Sequence, residues 1–140
     1  MQFPIDTLTV RRATLEGGRH GQTLSLDLAA FTIPLRGEDQ TFLTAAVFDG
    51  IDLPSTRARD LAGQVYDFPA NPDDGYIDGS IYIDNRHHPV DATRLAFGPI
   101  TGDVLPLTLT TRLVLSFEKL ASYADTDWTI TVDLPLSEFD

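Results

Sequence analysis

The chain has 140 residues, a net charge of −11 and no cysteine. That length suits one domain with a substantial core. The charge disfavours nucleic acid and anionic lipid, which recruit clustered cations, and the missing cysteines exclude disulfides, thiolate catalysis and cysteine zinc sites. Of the 21 acidic residues only Glu16, Glu38, Glu118 and Glu138 are glutamates; the other 17 are aspartates, residues that favour turns between strands.

The amino terminus, MQFPIDTLTVRR, has no basic head followed by an apolar run, so a cytoplasmic protein is expected. No apolar stretch approaches the ~20 residues of a membrane-spanning helix. Ile5 to Leu15 reads as a first strand, with Leu8 and Val10 on one face. Glu16 to Gly21 is a glycine-rich connection to a second strand, Thr23 to Ile33. In that strand Leu24, Leu26 and Leu28 share one parity, whereas Ala29, Phe31 and Ile33 take the other. Such a slip predicts a bulge or a strand that passes from one sheet to another. Arg36 to Gln40 is a turn, and Thr41 to Phe48 is apolar on both parities, as in a strand covered on both faces.

Ser55 to Ala62 is the one predicted helix, with Ser55 as its cap and Gly63 as its stop. Val65 to Phe68 is a short strand, followed by the loop PANPDDG. Tyr76 to Asp84 alternates cleanly: Ile77, Ile81 and Ile83 face inward, and Gly79 leaves a gap among them. NRHHP (residues 85–89) turns the chain into a short strand, Arg94 to Phe97. The strongest signal is Val104 to Glu118, where Leu107, Leu109, Leu113, Leu115 and Phe117 share the inner parity and Thr111 is a polar gap. Trp128, Ile130, Val132, Leu134 and Leu136 form the last inner face. About eight strands with one short helix predict an antiparallel two-sheet β-sandwich, jelly-roll or immunoglobulin-like.

The chemistry-bearing residues gather in one region. Asp73 and Asp74 lie in the PANPDDG loop, Tyr76 and Asp78 come just after it, and Tyr82, Asp84, Arg86, His87 and His88 follow. Tyrosine and arginine are favoured at binding hot spots. Adjacent His87 and His88 point to opposite faces of an extended segment and cannot chelate one metal; His20 could join them only from a distant loop. Asp74 to Asn85 has a glycine at the sixth place of an EF-hand-like loop, but Tyr76 and Asn85 occupy ligand positions. Asp125, Asp127 and Asp133 resemble the carboxylate spacing of calcium-dependent membrane-binding β-sandwich domains. The resemblance is limited to those three positions, and Asp133 lies nearly 20 Å from Asp127 along an extended strand. There is no nucleophile elbow, phosphate loop or zinc-protease motif.

No metal or cofactor is therefore expected. The leading expectation is a non-enzymatic binding protein, in concrete form an acidic inhibitor or immunity-type protein for a basic partner, with its carboxylates concentrated between Asp73 and Asp84. The alternatives are a sugar- or calcium-binding module using Asp73, Asp74 and Tyr76, or a hydrolase with paired aspartates.

Overall fold

A computed structural model describes residues 1–18 and 21–139. The strands in chain order are β1 (Val10–Gly18), β2 (Gly21–Leu28), β3 (Phe31–Leu35), β4 (Glu38–Phe42), β5 (Ala45–Ile51), β6 (Val65–Asp67), β7 (Asp78–Ile83), β8 (Arg86–Phe97), β9 (Val104–Leu113) and β10 (Thr126–Pro135). Two single-turn helices, α1 (Ala58–Leu61) and α2 (Leu115–Glu118), interrupt them.

The main sheet runs β1-β2-β5-β7-β8-β9-β10, every pairing antiparallel, and curls until β1 and β10 lie side by side. It is a nearly closed seven-stranded barrel, not the expected two-sheet sandwich. No ladder joins β1 to β10 among the described residues. The parity slip after Leu28 is real but has another cause. β2 ends there, and the chain leaves the barrel for a separate hairpin, β3–β4, that carries Phe31, Ile33 and Leu35 into the same core. The doubly apolar stretch from Thr41 likewise divides between β4 and β5, with Leu43 exposed at the junction.

Alternation sets what fills the barrel. Leu24, Leu26 and Leu28 face Leu105, Leu107, Leu109 and Leu113 in one hydrophobic cluster. Each fully buried leucine contributes roughly 1.5–3 kcal/mol before entropy is charged against it. Thr111, the polar gap on this face, is buried and donates to the Trp128 carbonyl at 2.6 Å. Pro106 is tolerated because its carbonyl, and so its nitrogen, faces Gly98 just beyond the end of β8.

Antiparallel order puts two distinct caps on the barrel. One end is closed by β3–β4, Phe3, Leu115, Leu120 and Tyr123, whose hydroxyl donates to the Pro34 carbonyl. The other is closed by Ile51, Ile77 and the buried face of α1, Ala58 and Leu61. Ser55 does not cap α1 directly; its hydroxyl receives the Arg57 amide and donates to Asp60 at 2.7 Å. The first strand also begins later than expected, after a 3-10 turn at Ile5–Thr7. The Glu16–Gly21 connection is shorter too, since Gly18 already pairs with Gly21; Arg19 and His20 lie outside the described residues.

Candidate functional site

Two tight turns organise the hairpin end. The β3–β4 turn holds Arg36 and Gly37 at positive φ, and the β7–β8 turn does the same with Asp84 and Asn85. These are the primed turns that suit a hairpin's twist. Arg36 grips Asp84 with two hydrogen bonds, 2.8 and 3.2 Å. The guanidinium holds that carboxyl below its ordinary range. The expected turn at NRHHP is thus confined to Asp84–Asn85, and His87 and His88 belong to β8.

Strand geometry separates the two histidines. His87 is exposed and packs at a tilt against its cross-strand partner Tyr82, ring centroids 4.8 Å apart and planes 53° apart. His88 points inward, is fully buried, and its Nε2 lies 3.0 Å from the Ile83 carbonyl. Nε2 therefore carries the proton, and Nδ1 is left without a partner. Burial pushes the His88 pKa down, the carbonyl contact only partly offsetting it. A base with a depressed folded pKa supports the fold above its unfolded value of about 6.5 and loses that support as pH falls through the folded value. Urea melts from pH 7.5 to 5 should show stability declining, and His88→Gln should flatten the decline. An unchanged slope in the variant would remove His88 as the cause.

The remaining sequence candidates do not converge. Asp73 and Asp74 stand exposed on the loop, Tyr76 is half-buried, and Asp78 lies opposite Asp49 on the outer face. Arg86 reaches the Glu118 carbonyl at 3.3 Å and its carboxylate at 3.5 Å. No three histidine, aspartate or glutamate side chains come together as a cation site would need, among the described residues. Nor do the acids form one patch between Asp73 and Asp84. They occur around the barrel, on β1 (Glu16), β2 (Asp27), β5 (Asp49), β6 (Asp67) and β10 (Asp127, Asp133). Asp67, Asp84 and Asp127 are each paired with an arginine.

What the structure does assemble is a groove of about 340 Å³ on the outer wall, lined by Asn71, Pro72, Pro89, Asp91, Val114 and Phe117. Its origin is a handover in β8. That strand pairs with β7 through Pro89 and with β9 only from Val90 onward. Val114 donates to the Pro89 carbonyl at 2.8 Å, which ends β9 and turns the chain into α2. Leu115 then enters the core, while Phe117 is left 71 % exposed. The Ser116 amide donates to Asp125 at 2.9 Å, steadying the first turn of α2 and holding that carboxyl low.

Asp91 forms the polar wall of the groove. Its carboxyl takes the Asn71 amide from the overlying loop, which carries a cis Asn71–Pro72 bond. Partial burial pushes its pKa up against that hydrogen bond and the nearby Arg112. Across the sheet Asp91, Arg112 and Asp127 lie in register, and Arg112 is bound to Asp127 at 2.7 Å. A second hollow, about 280 Å³, continues from Asp91 over Thr110 and Thr129.

Neither Asp91 nor Phe117 stood out in the sequence. Phe117 shares the parity of the inward leucines, and only the break at Val114 turns it out. Asp91 was legible in principle, as an outward residue alternating with Val90 and Ala92. Comparison with protein-family models, curated proteins and solved structures finds no match.

Proposed function

We propose that the protein works by binding rather than by catalysis, and that the Phe117 groove is the face that docks a basic partner. The observation that carries this is an aromatic ring exposed at 71 % beside prolines and a partly buried carboxyl. An apolar centre with a polar rim is the anatomy of an interface hot spot. Here the polar side is acidic: Asp91 lines the groove, Asp127 borders the hollow that continues from it, and Arg112, which pairs with Asp91 across the sheet, is already occupied by Asp127. A chain of net charge −11 steers cationic partners towards itself through its long-range field. An inhibitor or immunity-type role against a basic protein would use such a face.

The test is a panel of labelled peptides carrying lysine or arginine, with and without a neighbouring leucine or phenylalanine. Peptides with both features should bind, and Phe117→Ala should weaken them about tenfold or more while leaving the melting temperature unchanged. Affinity should fall as ionic strength rises past about 0.15 M. Binding that is indifferent to Phe117→Ala, or no binding by any peptide, would refute this reading.

A further inference from the structure

At the barrel end opposite the Phe117 groove lies a larger hollow, about 500 Å³, lined by Arg57, Ala58, Arg59, Ile100, Leu136 and Phe139. Two anchors shape it. The Gly63 amide bonds to the Gly98 carbonyl at 3.1 Å, fixing α1 beside the β8–β9 connection. The Leu136 amide bonds to the Asp103 carbonyl at 2.8 Å, fixing the 3-10 turn that follows β10. Between them Ile100 remains 39 % exposed, an apolar wall with nothing packed over it among the described residues.

Two arginines line this rim on an otherwise strongly acidic chain. Arg36, Arg86, Arg94 and Arg112 each face a carboxylate within 3.5 Å. Among the described residues Arg57 and Arg59 face none, and Asp60, the acid within α1, is engaged by the Ser55 hydroxyl. Two unpaired guanidiniums at one rim are the complement of a single anionic head, because arginine forms paired hydrogen bonds to carboxylate. Their aliphatic stems extend the apolar wall formed by Ile100, Leu136 and Phe139. A hollow of this size suits a small organic ligand, with polar groups fixing its orientation.

We infer that this hollow is a binding site for a small amphipathic carboxylate, its head on Arg57 and Arg59 and its alkyl or aryl body against Ile100, Leu136 and Phe139. The site is independent of the Phe117 groove, at the far end of the barrel. It also accounts for two unpaired cations on a protein whose overall field repels anions: they overcome that field only locally, within a Debye length of about 8 Å.

The test is calorimetric titration of the whole chain with octanoate, alongside octanol, acetate and inorganic phosphate, at 0.15 M salt. Octanoate should bind at least tenfold more tightly than any of the other three, since each lacks either the head or the tail. Arg57→Gln with Arg59→Gln should weaken octanoate at least tenfold with an unchanged melting temperature, both side chains being exposed. Ile100→Glu, which sets a carboxylate on the apolar wall, should abolish it. Binding unaffected by the double arginine variant, or equal binding of acetate and phosphate, would overturn the assignment. Sedimentation with phosphatidylserine vesicles, lost on Arg57→Gln with Arg59→Gln while octanoate fails to bind, would assign the arginines to a lipid surface and equally overturn it.

Discussion

Replacing Gly79 by alanine is expected to lower stability by about 3 kcal/mol or more, at or beyond the upper range for overpacked cores. A Cβ there would stand 2.3 Å from the Val90 carbonyl oxygen and 2.6 Å from Cδ1 of Phe48. The ring could shift, but the carbonyl belongs to the β7–β8 region of the barrel wall and cannot retreat without breaking the ladder. Space, not backbone conformation, demands glycine here, because Gly79 does not adopt positive φ. Phe48→Leu in the same chain should therefore fail to rescue the variant. Ser80→Ala, one residue on and half-buried, should cost within about 0.5 kcal/mol. A loss at Gly79→Ala below about 1 kcal/mol in urea melts would show that the wall yields after all.

The second large effect concerns where β9 stops. Leu113→Ala should cost about 2–5 kcal/mol, the range for emptying a buried leucine site, since Leu113 is fully buried between β8 and β10. Phe117→Ala should change stability very little, although position 117 has the same parity as 113. Thr110→Ala, outside the barrel, should also be mild. Comparable losses at Leu113 and Phe117 in denaturant melts would mean that the strand runs on through Phe117 and that α2 does not form.

These two positions show how far the sequence can be read. Alternation identifies which residues face inward, and it does so correctly for Ile81 and Ile83, for Leu107, Leu109 and Leu113, and for Trp128 and Val132. It also marks Thr111 as the polar residue inside. What alternation cannot convey is how the inner faces are arranged around one another. The same pattern fits two stacked sheets or one curled sheet, and the choice rests on β8, which bonds β7 and β6 on one edge and β9 on the other. The apparent gap at Gly79 is an example: Phe48, opposite it in register on β5, fills the space.

The candidate site was less legible still. His88 stands beside Pro89 in what reads as a turn, yet proline is accepted where β8 changes partners, and the histidine becomes part of the core. Phe117 is exposed because Val114 hydrogen-bonds to Pro89, a contact across 25 positions that no local pattern records. The aspartate-rich segment drew attention through composition, but register disperses it: Asp78 opposite Asp49, Asp84 onto Arg36, Asp73 and Asp74 onto the loop.

The open seam between β1 and β10 has a consequence for how the barrel assembles. The two strands lie side by side there, with Ala13 and Val132 lining a hollow between them and no ladder among the described residues. β1 and β10 are the first and last strands of the barrel, so their meeting closes a longer loop than any of its ladders does. A ladder at that joint would have to find its register last, and a slip of one residue would turn a whole strand inside out. A joint without a ladder sets no such condition. The final closure can be approximate at first and settle afterwards, with no mispaired strand to undo.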